Sequence, residues 1–230
     1  MSEYRIAERC HVLPTPAGAF HAVSSDRDEP ARRLLLALLA AEQSPLLSVP
    51  QACRWSGLKN QDEVLELLYR MQELGWLQGE AESRPAPAGA LEDVLPALLA
   101  ALSGDSAASG KALLADAHGF CLARHGYTHE TAEEVSALGA DLLALHGRHG
   151  GLLNHNLGLP GGAWALVDAA GNSALGFWPL HIGGQHFLLA ITGVPHFNQP
   201  DFVDLVWVLN KRYHALEKPA VAALRRGAGN

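Results

Sequence analysis

Apolar residues recur at Leu91, Val94, Leu95, Leu98, Leu99 and Leu102, an unbroken i, i+3, i+4, i+7 stripe that predicts an amphipathic helix. The period then changes. Residues 111–125 and 163–182 carry short apolar runs broken by the same punctuation, Asp116-Ala117-His118-Gly119 and Asp168-Ala169-Ala170-Gly171. Aspartate in the first turn position can accept from a backbone N–H two residues on, and glycine closes the turn where φ above zero costs least. Each stretch is therefore predicted as strand, turn, strand, and a further strand follows over 185–192. Between the two units, Val135, Leu138, Leu142 and Leu145 align on a helix over 129–146 that opens with a Thr131-x-x-Glu134 capping-box pattern. Ala137, Gly139, Ala140 and Ala144 leave faces of that helix small enough for another helix to approach. Residues 147–162 read as loop. A last helix, 201–216 with Asp201 as its N-cap, places Val203, Val206 and Trp207 on a different side from Phe202, Leu205 and Leu209, so it is expected to be sandwiched.

The first third has its own pattern. Residues 9–12 and 19–23 flank PTPAG as a plausible hairpin. EPARRLLLALLAAEQ spaces Leu35, Leu38 and Leu39 as a helix. Ser48 and Pro50 open a shorter one that stops at Gly57, and QDEVLELLYRMQELGW aligns Val64, Leu67, Leu68, Met71 and Leu74 before Gly75. Helix, helix–turn–helix and strand over residues 29–80 resemble a winged-helix domain. The stretch GEAESRPAPAGA combines charge, Pro85, Pro87 and Gly89 without periodicity, which is linker composition. The division expected is a winged-helix-like module over 1–82, a linker over 83–90, a second domain over 91–218 and a flexible tail over 219–230.

Bulk properties narrow the function. Of 230 residues 48% are hydrophobic and 18% charged, the composition of a globular protein with a sizeable core. The net charge of −7 is spread evenly: residues 1–88 hold 9 basic and 12 acidic side chains, residues 89–230 hold 8 and 12. Neither part offers the basic field that nucleic acid attracts. The helix in QDEVLELLYRMQELGW carries Asp62, Glu63, Glu66 and Glu73 against Arg70, which opposes entry into a major groove and favours protein contact or packing. Cys10, Cys53 and Cys121 are unclustered and read as reduced thiols. MSEYRIAERC lacks the apolar segment of a secretory signal, and no apolar run approaches a membrane span, so a cytoplasmic location is expected.

The order helix, two strands, helix, three strands, helix over residues 91–216, with ALLADAHGFCLARHG and AWALVDAAGNSALGFWPLHIGGQHFLLAIT as its strand units, resembles the roadblock / dynein light-chain family. The resemblance implies an α+β fold: a profilin-like, five-stranded antiparallel sheet with helices on both faces. It also implies homodimers made through the middle helix and the neighbouring strand, and a role as scaffold or regulator of a small Ras-like GTPase. Bacterial members of this kind act in motility and polarity switches.

No catalytic pattern competes with that reading. Gly-x-Ser-x-Gly, phosphate-loop and Rossmann glycine patterns are absent, and Gly158-Leu159-Pro160-Gly161-Gly162 lacks a lysine and a following helix. His146, His149 and His155 form the densest group among twelve histidines, but without a fixing second shell they read as loop residues, not zinc ligands. His118 reads as an exposed turn residue and Cys121 as a core thiol. The chain is thus expected to be a non-enzymatic homodimeric regulator or adaptor without cofactor, metal or membrane partner. The alternative is a transcription regulator with a DNA-binding winged helix and a C-terminal sensing and dimerisation domain. Val135, Leu138, Leu142, Trp164 and Leu166 are the expected dimer contacts, because the strand AWALV is too apolar on both faces to stay in water. Glu133, Glu134, Ala137 and Asp141 leave the apolar stripe on successive turns and are the expected partner-binding residues.

Overall fold

The computed structural model describes residues 4–6, 9–104, 110–159 and 161–214. Strand β1 (His11–Pro14) runs into Thr15, whose hydroxyl accepts from Gly18 N at 3.1 Å and caps helix α1 (Pro16–Val23). The hairpin expected across PTPAG is therefore not formed, and residues 19–23 are helical. Thr15 and Pro16 act as N-cap and first-turn proline, a helix start that outweighs the turn reading of the same residues. Helix α1 lies so close to the chain before the next strand that a Cβ at Gly18 would overlap the carbonyl of Trp76.

Helices α2 (Pro30–Leu38), α3 (Val49–Ser56) and α4 (Gln61–Glu73) follow the predicted spacing. Ser48 caps α3, Gly57 ends it in the left-handed region, and Asn60 caps α4, so α3 and α4 form the expected helix–turn–helix. Strand β2 (Leu77–Glu80) then pairs antiparallel with β1, which also bridges through His11 to Leu46. The strand after α4 thus takes its partner from upstream, and no wing hairpin of its own follows.

Residues 83–86 run along the segment after α2: Ser44 N donates to Arg84 O at 2.8 Å, and Ala86 N to Glu42 O at 2.9 Å. Beyond them come α5 (Leu91–Leu102), β3 (Ala112–Asp116), β4 (Cys121–His125), α6 (His129–Gly151), β5 (Trp164–Val167), β6 (Ser173–Ile182), β7 (Gln185–Thr192) and α7 (Pro200–His214). The five strands form one antiparallel sheet in the order β4-β3-β7-β6-β5. The two aspartate turns are near copies. Asp116 Oδ1 accepts from His118 N and Phe120 N at 2.9 and 3.0 Å, and Asp168 Oδ1 from Ala170 N and Asn172 N at 2.8 and 2.9 Å. Gly119 and Gly171 both stand at φ 86°. The backbone N–H of Asn172, followed by its side chain, holds the Asp168 carboxyl below its ordinary value.

One core fills the sheet face towards α5 and α7 and continues without a break into the N-terminal helices, from Leu13, Leu34 and Leu35 to Leu189, Ile191, Phe202 and Trp207. Helix α7 is sandwiched as its all-round apolar surface requires, with every residue from Leu205 to Asn210 buried. Its polar atoms reach across to the N-terminal elements: Trp207 Nε1 donates to Ala41 O at 3.0 Å and Asn210 Nδ2 to Leu36 O at 2.7 Å. Asp201 lies inside its first turn and not ahead of it, since the helix begins at Pro200. The end expected at 216 and the tail over 219–230 fall outside the described residues. Among the described residues no helix is long and apolar enough to cross a membrane.

Candidate functional site

Among the described residues the opposite face of the sheet is covered by α6, in a smaller cluster of Leu113, Ala115, Ala132, Phe177, Leu188 and Ala190. Thr128 starts this helix, its hydroxyl accepting from Thr131 N at 3.3 Å. The cap therefore stands three residues earlier than the Thr131-x-x-Glu134 pattern suggested, with Thr131 in the N3 place that a capping box gives to glutamate. The buried residues of α6 are Ala132, Ser136 and Gly139, spaced i, i+4, i+7. The helix thus lays its small face on the sheet. Leu188 fills the space over Gly139, where a Cβ would collide with its Cδ2. The turn at Gly119 lies against Ala137 and Ala140, 3.2 Å and 3.4 Å from the position a Cβ would take. The small residues that suggested an approaching helix are in these places occupied by the chain's own strand and turn.

That roll about the helix axis decides where the expected contacts fall. Val135 and Leu142 are half-buried and, with Trp164, flank the α6 cluster. Leu138 turns outward and is 41% exposed, and Leu166 on β5 is 56% exposed. Glu133, Glu134, Ala137 and Asp141 are all exposed on α6, with His129 Nδ1 3.9 Å from Glu133. The five apolar residues thus divide: Val135, Leu142 and Trp164 pack within the chain, while Leu138 and Leu166 face out.

The loop expected over 147–162 is largely helical. Helix α6 continues to Gly151 and runs on through a π-helical segment at Leu152–Asn156, closed by Leu157 N donating to Leu152 O at 3.0 Å. Glycines 147, 150 and 151 lower helix propensity without introducing the positive φ that would end the helix. Leu152, Leu157 and Leu159 are exposed on and just beyond this extension, as are Leu166 and Val167 on β5. Strand β5 is a sheet edge, so Leu166 and Val167 leave apolar side chains beside unpaired backbone groups. The other edge, β4, carries Arg124 and His125.

The histidine group is placed apart from any metal geometry. His146 Nδ1 accepts from the Trp164 indole at 3.4 Å, and among the described residues no three His, Cys, Asp or Glu side chains could hold an ion together. Burial pushes the half-buried Cys121 thiol up, which makes it less nucleophilic. His181 and His186, which the sequence reading passed over, oppose each other across the β6–β7 hairpin. Burial, and then the neighbouring His186, push His181 down to about 4. The signal for the pair is the segment HIGGQH, in which a two-glycine turn sets the histidines face to face.

The acidic face of α4 is exposed as expected, with Asp62, Glu63, Glu66 and Glu73 in water and Arg70 3.8 Å from Glu66. No protein-family model matches the chain, and no curated protein matches it significantly. Over about half its length it is similar to two solved roadblock structures. One is a Roadblock/LC7 domain from Streptomyces avermitilis, at 13% identity and a TM-score of 0.33, covering 54% of this chain and 93% of that one. The other is MglB of Myxococcus xanthus, at 17% identity and a TM-score of 0.35, covering 56% and 92%.

Proposed function

We propose that this chain is a non-enzymatic regulator or adaptor that works as a homodimer, with a small Ras-like GTPase as its partner. The observation that carries the dimer is the placement of exposed apolar residues. The N-terminal elements cover the face of α5 and α7, whereas Leu138, Leu166 and Val167 stay open around α6 and the β5 edge. Covering each of these half-exposed side chains contributes roughly 1 kcal/mol, and pairing β5 across a twofold axis satisfies its free backbone groups as well. The partner class is what the resemblance of residues 91–216 to the roadblock / dynein light-chain family implies. Glu133, Glu134 and Asp141 supply orienting charge, and Ala137 stands exposed among them beside the turn at Gly119. The helix–turn–helix serves packing and protein contact, since four carboxylates line its exposed side.

Sedimentation of Leu138→Glu and Leu166→Lys protein tests the dimer; both should run as folded monomers, and an unchanged dimer in both removes the interface. The reversal Glu134→Lys/Asp141→Lys should then weaken binding to a candidate GTPase and flatten its salt dependence while leaving the dimer intact. Unchanged affinity would move the partner site off α6.

A further inference from the structure

The β6–β7 hairpin turns through Gly183 and Gly184, at φ 58° and 68°, leaving Ile182 opposite Gln185 and His181 opposite His186. Directly opposed residues of an antiparallel pair hold their Cβ atoms about 4.5–5.5 Å apart, so the two imidazoles are brought together by the backbone itself. The rings meet edge to face, with centroids 4.8 Å apart and planes at 87°, and their Nδ1 atoms lie 2.8 Å apart. In that hydrogen bond one Nδ1 donates and the other offers its lone pair.

A metal–nitrogen bond of about 2.0–2.1 Å places two ligand nitrogens about 2.9 Å apart at a right angle and about 3.4 Å apart in a tetrahedron. The observed separation fits the right angle, which is the arrangement of tetragonal ions. The pair is also accessible. His186 is exposed, and both histidines line a groove of about 890 Å³ between the loop at 24–29, α6 and the hairpin. Asp26 and His146 line the same groove without converging on the pair.

We propose that His181 and His186 form a two-imidazole chelate for a divalent transition-metal ion of tetragonal preference, Cu(II) or Ni(II), with water in the remaining positions. Binding removes no proton from the pair overall. The ring that donates from Nδ1 passes to its Nε2–H tautomer by exchange with water, and both Nδ1 lone pairs then turn to the ion. The backbone oxygen of His181 accepts from Arg32 Nη2 at 3.0 Å, so an ion at this hairpin stiffens a strand end against which the N-terminal helices dock.

Titrating Cu(II) into the untagged full chain, read by calorimetry and electron paramagnetic resonance, tests the site. One ion per chain should bind, with hyperfine splitting from two imidazole nitrogens. His186→Gln alters an exposed side chain and should keep the fold by circular dichroism while weakening binding at least roughly tenfold, as loss of half a chelate requires. His149→Ala and His155→Ala should bind as the parent does. No saturable binding, or equal binding by the His181→Ala/His186→Gln double variant, overturns the proposal.

Discussion

Arg84 Nη2 lies 2.9 and 2.8 Å from the two carboxylate oxygens of Asp204, joining the segment after β2 to the middle of α7. The pair is mostly but not wholly covered, at 30% and 19% side-chain exposure. Burial pushes the Asp204 carboxyl above its ordinary value, against the pull of Arg84. Arg84→Met should keep the stem packing and lower stability by roughly 1–2 kcal/mol, less than a fully buried pair would lose. The sign of its pH dependence follows. The folded carboxyl holds its proton to a higher pH than the unfolded one, so stability is lost as pH rises through the folded value. Removing Arg84 raises that value further. The variant's deficit in urea denaturation should be full at neutral pH and shrink on acidification; a deficit that does not change with pH would exclude an uncompensated carboxylate as its cause.

Gly139 and Leu188 form a second close fit. Gly139→Ala gains helix propensity of up to about 1 kcal/mol but drives a methyl into Leu188, which is 1% exposed and has little room to move. A net loss of about 1 kcal/mol is expected from these opposed effects. Leu188→Ala should remove the clash, so the double variant should be more stable than the sum of the two single losses. Strict additivity in that cycle would show that the two positions do not meet.

The division of the α6 and β5 residues makes a contrast that denaturation at low protein concentration can read. Leu166→Lys replaces a side chain already in water and should change monomer stability by no more than about 0.5 kcal/mol. Leu142→Ala removes a half-buried side chain from the α6 cluster and should cost about 2 kcal/mol. Equal losses would mean that α6 is rolled differently on the sheet.

Two glycines with positive φ differ in their surroundings. A methyl at Gly171 meets open space, whereas at Gly183 it meets the Tyr213 carbonyl at 2.6 Å. Gly171→Ala should therefore cost about 1 kcal/mol for backbone conformation alone. Gly183→Ala should cost clearly more, because the end of α7 must also retreat. Matching melting temperatures for the two variants would show that α7 does not press on the hairpin.

The parts of this fold legible in the sequence are those specified locally. Asp116 and Asp168 fix their turns through bonds to residues two and four positions on, and Ser48 and Gly57 bound α3 by themselves. What escaped depended on competition between signals or on distant partners. PTPAG contains both a turn and a helix cap, and the cap is the one in use, with Thr15 bonded to Gly18 N and Gly18 fitted against Trp76. The side of α6 that faces the sheet does not follow from hydrophobicity, which favours Val135, Leu138 and Leu142, because the close approach of Leu188 and the turn at Gly119 selects Ala132, Ser136 and Gly139. Glycines 147, 150 and 151 concealed the rest of α6, and with it Leu152, Leu157 and Leu159.

The two rims of the sheet are unequal. Arg124 guards one with charge, while Leu166 and Val167 leave the other greasy. Growth by strand pairing needs two receptive rims on every molecule, one to receive and one to offer. Among the described residues the five-stranded sheet has one such rim, so association of the kind proposed above uses up its receptive end in each copy. Under that proposal polymerisation would end at the first step, with a closed pair in place of a fibre.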